Sequence, residues 1–210
     1  MNSYQKEQLD ALLMIREGLS SLAPSGIASL EKEMAAYLDY RQAVTDFWEA
    51  HFYDICTEKC FQNGLSACCS KDGIITFFAD VVINALVSEE AALDRLEAAI
   101  RRPERPDKCV FLNASGCLWK IKPIVCELFL CDSVKEKVFE DDFEVGETWA
   151  RLREEKKRYT WPDQPVLFEF LEAFFRDKGY RSPLMYIHCS PGLMRIRRQR
   201  PEEARKSPHR

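Results

Sequence analysis

The residues of this 210-residue chain best able to do chemistry are its nine cysteines, because eight of them fall within 76 residues. They form two ordered runs of four, Cys56-x3-Cys60-x7-Cys68-Cys69 and Cys109-x7-Cys117-x8-Cys126-x4-Cys131. A thiolate is a soft ligand that suits zinc, copper(I) and iron–sulfur clusters. The two runs therefore favour a metal centre over separate buried core cysteines or structural disulfides, which are the alternatives.

The spacing limits the kind of centre. Four thiolates hold one tetrahedral zinc ion or one cubane cluster. Eight thiolates could therefore serve two zinc ions, one cluster with four thiols in other roles, or a multinuclear centre. Simple zinc ribbons carry a C-x2-C knuckle in each half, and no such pair occurs here. Neighbouring side chains generally diverge, so Cys68 and Cys69 are expected to reach different metal ions or different irons.

The residues around the second run carry a family resemblance, and they are Cys109, Phe111, Leu112, Gly116, Cys117, Pro123, Cys126, Phe129 and Cys131. Together with the C-x3-C-x7-CC pattern of the first run, they resemble the YkgJ-type cysteine-cluster family, a zinc- or iron-chelating domain whose role is generally unassigned. The resemblance covers residues 56–131. It implies metal ligation by Cys56, Cys60, Cys68, Cys69, Cys109, Cys117, Cys126 and Cys131.

Two positions depart from the resembled pattern. The family usually has arginine where this chain has Lys122 and Glu127. Loss of the second basic residue weakens any role of a cation beside the metal. The cysteine motif is more distantly similar to that of flagellin lysine methylase, which implies methyl transfer from S-adenosylmethionine. This chain has no matching nucleotide-binding loop and is short for that activity.

The elements that must position these thiols are mainly helical. Apolar spacing predicts helices over 3–22, 28–51 and 74–87, with the segment 23–26 as a break. Ser88 is expected to cap a helix ending near 102. Residues 109–112 and 117–121 predict two short strands around a turn. Pro123 is expected to begin a helical turn carrying Cys126 and Cys131, and further helices are predicted over 145–159 and 165–178. The prediction is thus a mainly α domain with a small hairpin around a cysteine-rich metal site.

Composition bounds the protein class. Residues 1–194 are predicted to form a single domain, since a 46% hydrophobic fraction suffices for a core. The tail, 195–210, holds seven basic residues against two acidic ones and is expected to be a disordered, solvated end. A net charge of −4 gives no overall attraction to nucleic acid or to anionic membranes, and neither is expected as a partner. Charges interrupt the N-terminal apolar stretch, so no signal peptide is expected and the cytoplasm is the predicted location.

Four residues outside the eight carry separate predictions. Cys189 is expected to be an ordinary thiol. His188 directly precedes Cys189 and His51 lies five residues before Cys56, and histidines at such positions are more often outer-sphere or helix-surface residues than metal ligands. Asp80 lies inside an apolar run and is expected either to be buried and paired, with Arg95 or Lys71, or to mark the solvent edge of its helix.

The predicted function is metal binding through the eight cysteines, with an iron–sulfur cluster favoured over zinc on spacing and resemblance. Two alternatives from other classes stay open. One is a cluster-dependent enzyme of methyl-transfer or redox type, which predicts an incompletely buried centre beside a cavity. The other is a structural or interaction module in which zinc clamps the loops to a helical scaffold. Neither a substrate nor a protein partner follows from the residues.

Overall fold

A computed structural model describes residues 1–70, 75–161 and 165–185. Over these residues the chain is mainly helical with one two-stranded antiparallel sheet, so the predicted fold class is confirmed. The basic tail 195–210, His188 and Cys189 lie outside the described residues. Within the described part, no helix combines the length and the apolarity needed to span a membrane.

Two long helices open the chain. Helix α1 covers Ser3–Ser20, and Asn2 caps it by accepting the backbone N–H of Gln5 at 2.8 Å. Helix α2 covers Pro24–Tyr53. The predicted break at 23–26 is therefore wrong in extent, because Pro24 occupies the first turn, where its fixed φ suits a helix and its missing N–H costs nothing.

The next two helices follow each other closely along the chain. Helix α3 covers Phe78–Val87 and α4 covers Glu90–Arg101. Helix α3 begins later than predicted, at the point where the Asp80 carboxylate accepts the backbone N–H of Phe77 at 3.0 Å. Ser88 does not cap α4 as predicted. It adopts an extended conformation directly after α3, and Glu89 is the residue that precedes α4.

A short hairpin carries the middle of the second cysteine run. Strand β1 is Leu112–Asn113 and strand β2 is Gly116–Cys117, with Leu112 opposite Cys117. The Asn113 side chain accepts the N–H of Ser115 at 2.8 Å, and Gly116 takes a φ of 116°, which favours glycine. Each strand contains only two residues, so both strands are shorter than predicted.

The C-terminal half contains more helices than predicted. Their bounds are α5 Ile124–Glu127, α6 Asp132–Phe139, α7 Phe143–Glu155, α8 Lys157–Thr160, α9 Leu167–Asp177 and a 3-10 turn Pro183–Met185. Helix α6 was not expected. Cys131 therefore does not lie on the Pro123 turn with Cys126, since it directly precedes α6. The predicted helix 145–159 is divided into α7 and α8.

The core forms where α1, α3 and α9 meet, with α2 and α4 beside them. Phe78 of α3 and Phe175 of α9 are both fully buried, with ring centroids 5.3 Å apart. Gly18 of α1 allows this approach, because a Cβ there would lie 2.6 Å from the Phe175 ring. The cysteines contribute little to this core, of which Cys109 is the one fully buried thiol among the described residues.

Helix α3 also holds the segment that leads from the hairpin to α5. The buried Asn84 side chain accepts the backbone N–H groups of Lys120 and Ile121 at 3.0 and 3.1 Å. One turn earlier, Asp80 accepts the N–H of Ile124 at 3.0 Å. Asp80 is thus buried, as one of the two interpretations of the sequence predicted. Its hydrogen bonds to the N–H groups of Phe77 and Ile124, however, join its carboxylate to backbone amides.

We expect Asn84→Ala to lower the free energy of unfolding by roughly 2 to 4 kcal/mol, since each buried N–H left without an acceptor costs about 1 to 3 kcal/mol. Urea unfolding followed by circular dichroism measures the loss. The exposed Asn63 provides the matched control, and Asn63→Ala should change stability by less than about 0.5 kcal/mol. Equal effects of the two substitutions would contradict the role assigned to Asn84.

Candidate metal centre

The eight cysteines come from four neighbouring parts of the fold. Cys56 and Cys60 lie on a π-helical segment, Asp54–Phe61, that continues α2. Cys68 and Cys69 lie on the loop after it. The other four cysteines belong to the hairpin and the turns that follow it, namely Cys109 before β1, Cys117 on β2, Cys126 on α5 and Cys131 before α6.

The π-helical segment brings Cys56 and Cys60 towards the same side. Its i→i+5 bonding, seen in the 2.9 Å bond from the Gln62 N–H to the Thr57 carbonyl, makes a turn wider than that of an α-helix. Residues four apart are then almost one turn apart. The charge of Cys60 accordingly acts on Cys56.

The loop after this segment folds back onto Cys60. The backbone N–H of Ala67 donates to the Cys60 sulfur at 3.4 Å, and the N–H of Leu65 donates to the Cys60 carbonyl at 3.0 Å. Gly64 has a φ of 75° and Ser66 a φ of 40°, so the loop passes twice through the left-handed region. Serine rarely adopts this conformation, so the loop stores strain at Ser66.

The backbone joins the two cysteine runs directly. The N–H of Cys109 donates to the carbonyl of Cys69 at 3.0 Å, and Ser70 and Lys108 form an antiparallel bridge. The Lys108 ammonium donates to the Leu65 carbonyl at 2.7 Å. The loop of the first run is therefore held against the start of the second.

A buried ionic group anchors the turn that carries Cys126. Arg41 of α2 donates to the Lys122 carbonyl at 2.7 Å and to the Tyr37 hydroxyl at 3.0 Å. Its guanidinium lies 3.7 Å from the Glu127 carboxylate, which Lys122 also approaches at 3.4 Å. The Lys122 ammonium lies 4.8 Å from the centre of the Trp48 ring. Residues 122 to 127 are thereby fixed to α2.

The eight thiols form one electrostatically connected group. Burial raises the pKa of Cys56, Cys109, Cys117 and Cys126, and the charge of Cys68 raises each of them further. For Cys56 and Cys109 the pKa reaches about 11. Cys131 and Cys60 also act on Cys56, and Cys109 and Cys117 act on Cys69. Cys68, a member of the first run, thus acts on thiols of both runs.

The pKa values of the neighbouring thiols Cys68 and Cys69 shift in opposite directions. The Cys69 thiol lies near enough to the Cys68 sulfur to act on it as a hydrogen-bond donor. This interaction lowers the pKa of Cys68 and raises that of Cys69. The ammonium groups of Lys122 and Lys108 lower the pKa of Cys68 further. Cys68 is therefore the member of the pair whose surroundings favour the thiolate.

Backbone amides also favour thiolates in the hairpin. The amide of Phe111 acts on Cys109 and that of Trp119 acts on Cys117, in each case lowering a pKa that burial raises. Together with Ala67 on Cys60 and the amide of Cys68 on its own thiol, backbone N–H groups act on four sulfurs. Such bonds stabilise the ionised form, which is the form that ligates a metal.

The chemistry of this donor set fits a thiophilic metal, with eight thiols, four amide donors and two nearby lysines. Within residues 1–70, 75–161 and 165–185, however, no three side chains of His, Cys, Asp or Glu are grouped so that they could hold a metal ion. Coordination therefore requires side chains to rotate, or loops to shift, until the sulfurs converge. Cys68 and Cys117 are exposed by residue surface, so part of the group reaches the protein surface, although neighbouring atoms crowd the Cys117 thiol enough to raise its pKa.

The remaining candidates fare differently. The exposed His51 ring lies 4.5 Å from the Phe47 ring, centre to centre. His188 and Cys189 lie outside the described residues. Sequence reasoning missed Arg41 and Lys108. A signal existed for Arg41, which falls on the apolar stripe of α2 between the buried Tyr37 and Val44.

Comparisons with protein-family models, curated proteins and solved structures found no significant match.

We expect Cys68 to be the thiol most rapidly alkylated by iodoacetamide at pH 7 in reduced, metal-free protein. Its lowered pKa keeps it ionised as the pH falls, whereas Cys56 and Cys109, with a pKa of about 11, stay protonated. Peptide mapping by mass spectrometry measures each rate. Cys69→Ala removes the donor and should slow Cys68 alkylation by about tenfold, since an ordinary thiol is only a few per cent ionised at pH 7. Cys69→Ser keeps a donor and is the control. Equal rates in both variants would contradict the assigned hydrogen bond.

We expect Arg41→Met to destabilise the protein by about 3 kcal/mol, because it removes one cation from a buried carboxylate. Urea unfolding provides the measurement. In the double variant Arg41→Met/Glu127→Gln the carboxylate charge is gone as well, so the loss should be smaller than the sum of the two single losses. Additive losses would show that Arg41 and Glu127 do not interact.

Proposed function

We propose that the protein binds a metal centre through its cysteine thiolates, as an iron–sulfur or zinc protein of the cysteine-cluster kind that its sequence resembles. One observation carries the proposal. The charges of the eight thiols, which come from four parts of the fold, act on one another pairwise, and the bond from the Cys109 N–H to the Cys69 carbonyl holds the two runs together. An ordinary core distributes its cysteines among unrelated neighbours and does not gather them in this way.

The charges around the thiols support this reading. Several thiolates around one metal carry net negative charge, which nearby cations offset. Lys108 and Lys122 both act on Cys68, and Lys122 stands where the resembled family usually has arginine. Glu127 replaces the second expected arginine, and the buried Arg41 of α2 lies near its carboxylate. The departure from the family pattern is therefore accompanied by a cation supplied from another helix.

Two properties bear on the metal. The absence of any C-x2-C knuckle argues against zinc ribbons, and amide donors to sulfur are a known means of tuning iron–sulfur clusters. These properties favour an iron–sulfur cluster over zinc. The eight cysteines of the described chain are free thiols, which suits a reducing compartment, so we place the protein in the cytoplasm.

The proposal is tested by metal analysis of protein purified without oxygen. We expect iron with sulfide, or zinc, in wild type, and a loss of at least half of it in Cys60→Ser and in Cys126→Ser. Cys189→Ser is the matched control, because Cys189 belongs to neither run, and it should keep the full content. Wild-type protein that holds neither metal would overturn the proposal, as would equal content in all four proteins.

The incomplete burial of the thiols favours a second candidate function, a cluster-dependent enzyme. Cys68 and Cys117 are exposed, as a centre that meets a substrate requires. A cavity of about 220 Å³ lies elsewhere, lined by residues of α1, α2, α3 and α4 such as Arg16 and Leu93, and no cysteine borders it. The zinc-clamp alternative has less support, because α1, α3 and α9 pack mainly through apolar side chains and Cys109 is the one cysteine of the described residues in the buried core.

A further inference from the structure

Helix α1 carries two buried glutamines, one turn apart, whose side chains are satisfied differently. The side-chain amide of Gln5 donates to the Ile100 carbonyl at 2.7 Å, near the end of α4. Gln8 is 2% exposed, and its side-chain oxygen Oε1 accepts no hydrogen bond from any described residue. A buried acceptor without a donor costs free energy, and native structures rarely keep one without a protein or water partner. The Gln8 oxygen therefore needs a donor.

The segment after the hairpin brings an unpaired donor into the same region. Trp119 is 6% exposed, and its indole Nε1–H has no acceptor among the residues that the structure describes. The indole packs edge-on against the Phe111 ring, with centroids 5.2 Å apart, so the side chain is held in the interior. The second cysteine run thus carries a buried donor that lacks an acceptor, and α1 carries a buried acceptor that lacks a donor.

Both groups border one small cavity of about 10 Å³. Every residue that lines it is buried, and apart from Gln8, Trp119 and Asn84 its wall is apolar. The Asn84 oxygen is already occupied by two backbone amides. A bound water needs roughly 10 to 15 Å³ of such space and about two to four polar partners. The cavity therefore has the size of one water molecule and takes no larger ligand.

We propose that this cavity is the binding site of one structural water molecule, which donates to Gln8 Oε1 and accepts from Trp119 Nε1–H. The ligand must do both, because one unpaired group is an acceptor and the other a donor. A metal or ammonium cation has no lone pair for the indole N–H, and no charged residue lines the cavity to offset its charge.

The bound water joins α1 to the segment that follows β2. It therefore ties the second cysteine run to the helical core by a route separate from the bonds of Asn84 on α3. No cysteine lines the cavity, so the water site does not depend on whether the thiols hold a metal.

The direct test is magnetisation transfer between water and the indole protons of the full chain labelled with nitrogen-15. We expect the Trp119 Hε1 proton to show a nuclear Overhauser effect to water with the sign of a long-held molecule, and rotating-frame spectra to identify it as dipolar transfer. Trp161, which is 48% exposed, is the internal control, because surface water exchanges too quickly to give that sign. Absence of such transfer at Trp119 in wild type would overturn the proposal.

A substitution at the acceptor provides a second test. Gln8→Met keeps the length of the side chain and removes the acceptor, so we expect the Trp119 effect to disappear and the folding equilibrium constant to fall about tenfold. Urea unfolding measures the constant. Lys6→Met, at an exposed position of the same helix, is the matched control and should change it about twofold or less. A persisting water signal in Gln8→Met would contradict the assigned bond.

A double variant shows whether Gln8 and Trp119 use the same water molecule. Trp119→Phe removes the indole N–H together with part of the ring. If one water joins the two side chains, the folding constant of Gln8→Met/Trp119→Phe falls by less than the product of the two single factors. A fall equal to that product would show that the two side chains do not share a ligand.

Discussion

The structure depends on how the backbone amides between the hairpin and α5 are satisfied. This segment runs against the buried surface of α3, and a buried N–H group left unpaired there would destabilise the fold. Asn84 accepts two of these amides and Asp80 accepts a third, one helical turn earlier. Helix α3 is otherwise almost entirely apolar and buried. Two polar residues on it therefore decide where the second cysteine run lies.

The same constraint explains why the cysteines and the core occupy different parts of the molecule. The core is made by helices that pack through Phe78, Phe175 and their neighbours. The thiols lie on the loops and short turns around it, fixed by Asn84 and Asp80 on α3 and by Arg41 on α2. The helices thus supply the scaffold, and rotation of side chains or a shift of the loops is what remains to bring the sulfurs together on a metal.

Sequence reasoning predicted the helices that have a clear apolar stripe. It failed where packing or polar contacts determine whether a helix forms or where it begins. Helix α6 was missed because Val134 is its one buried residue, so it presents almost no apolar period. The start of α3 was placed too early because apolar residues precede Phe78, while the capping bond of Asp80 sets the true boundary. The ordered spacing predicted that the two cysteine runs meet, and a backbone bond from Cys109 to Cys69 joins them. The cations at positions 41 and 108 were not predictable, because they reach the cysteine-bearing segments only when distant parts of the chain meet in space.

The central claim is that the cysteine sulfurs are the metal ligands, and X-ray absorption at the edge of the bound metal tests it most directly. Protein purified without oxygen should show a first shell of sulfur at about 2.3 Å, the usual metal–thiolate distance. With an iron–sulfur cluster, a second shell of iron should accompany it. A first shell of oxygen or nitrogen at about 2.0 to 2.1 Å would contradict the account, because it would place the metal away from the thiols.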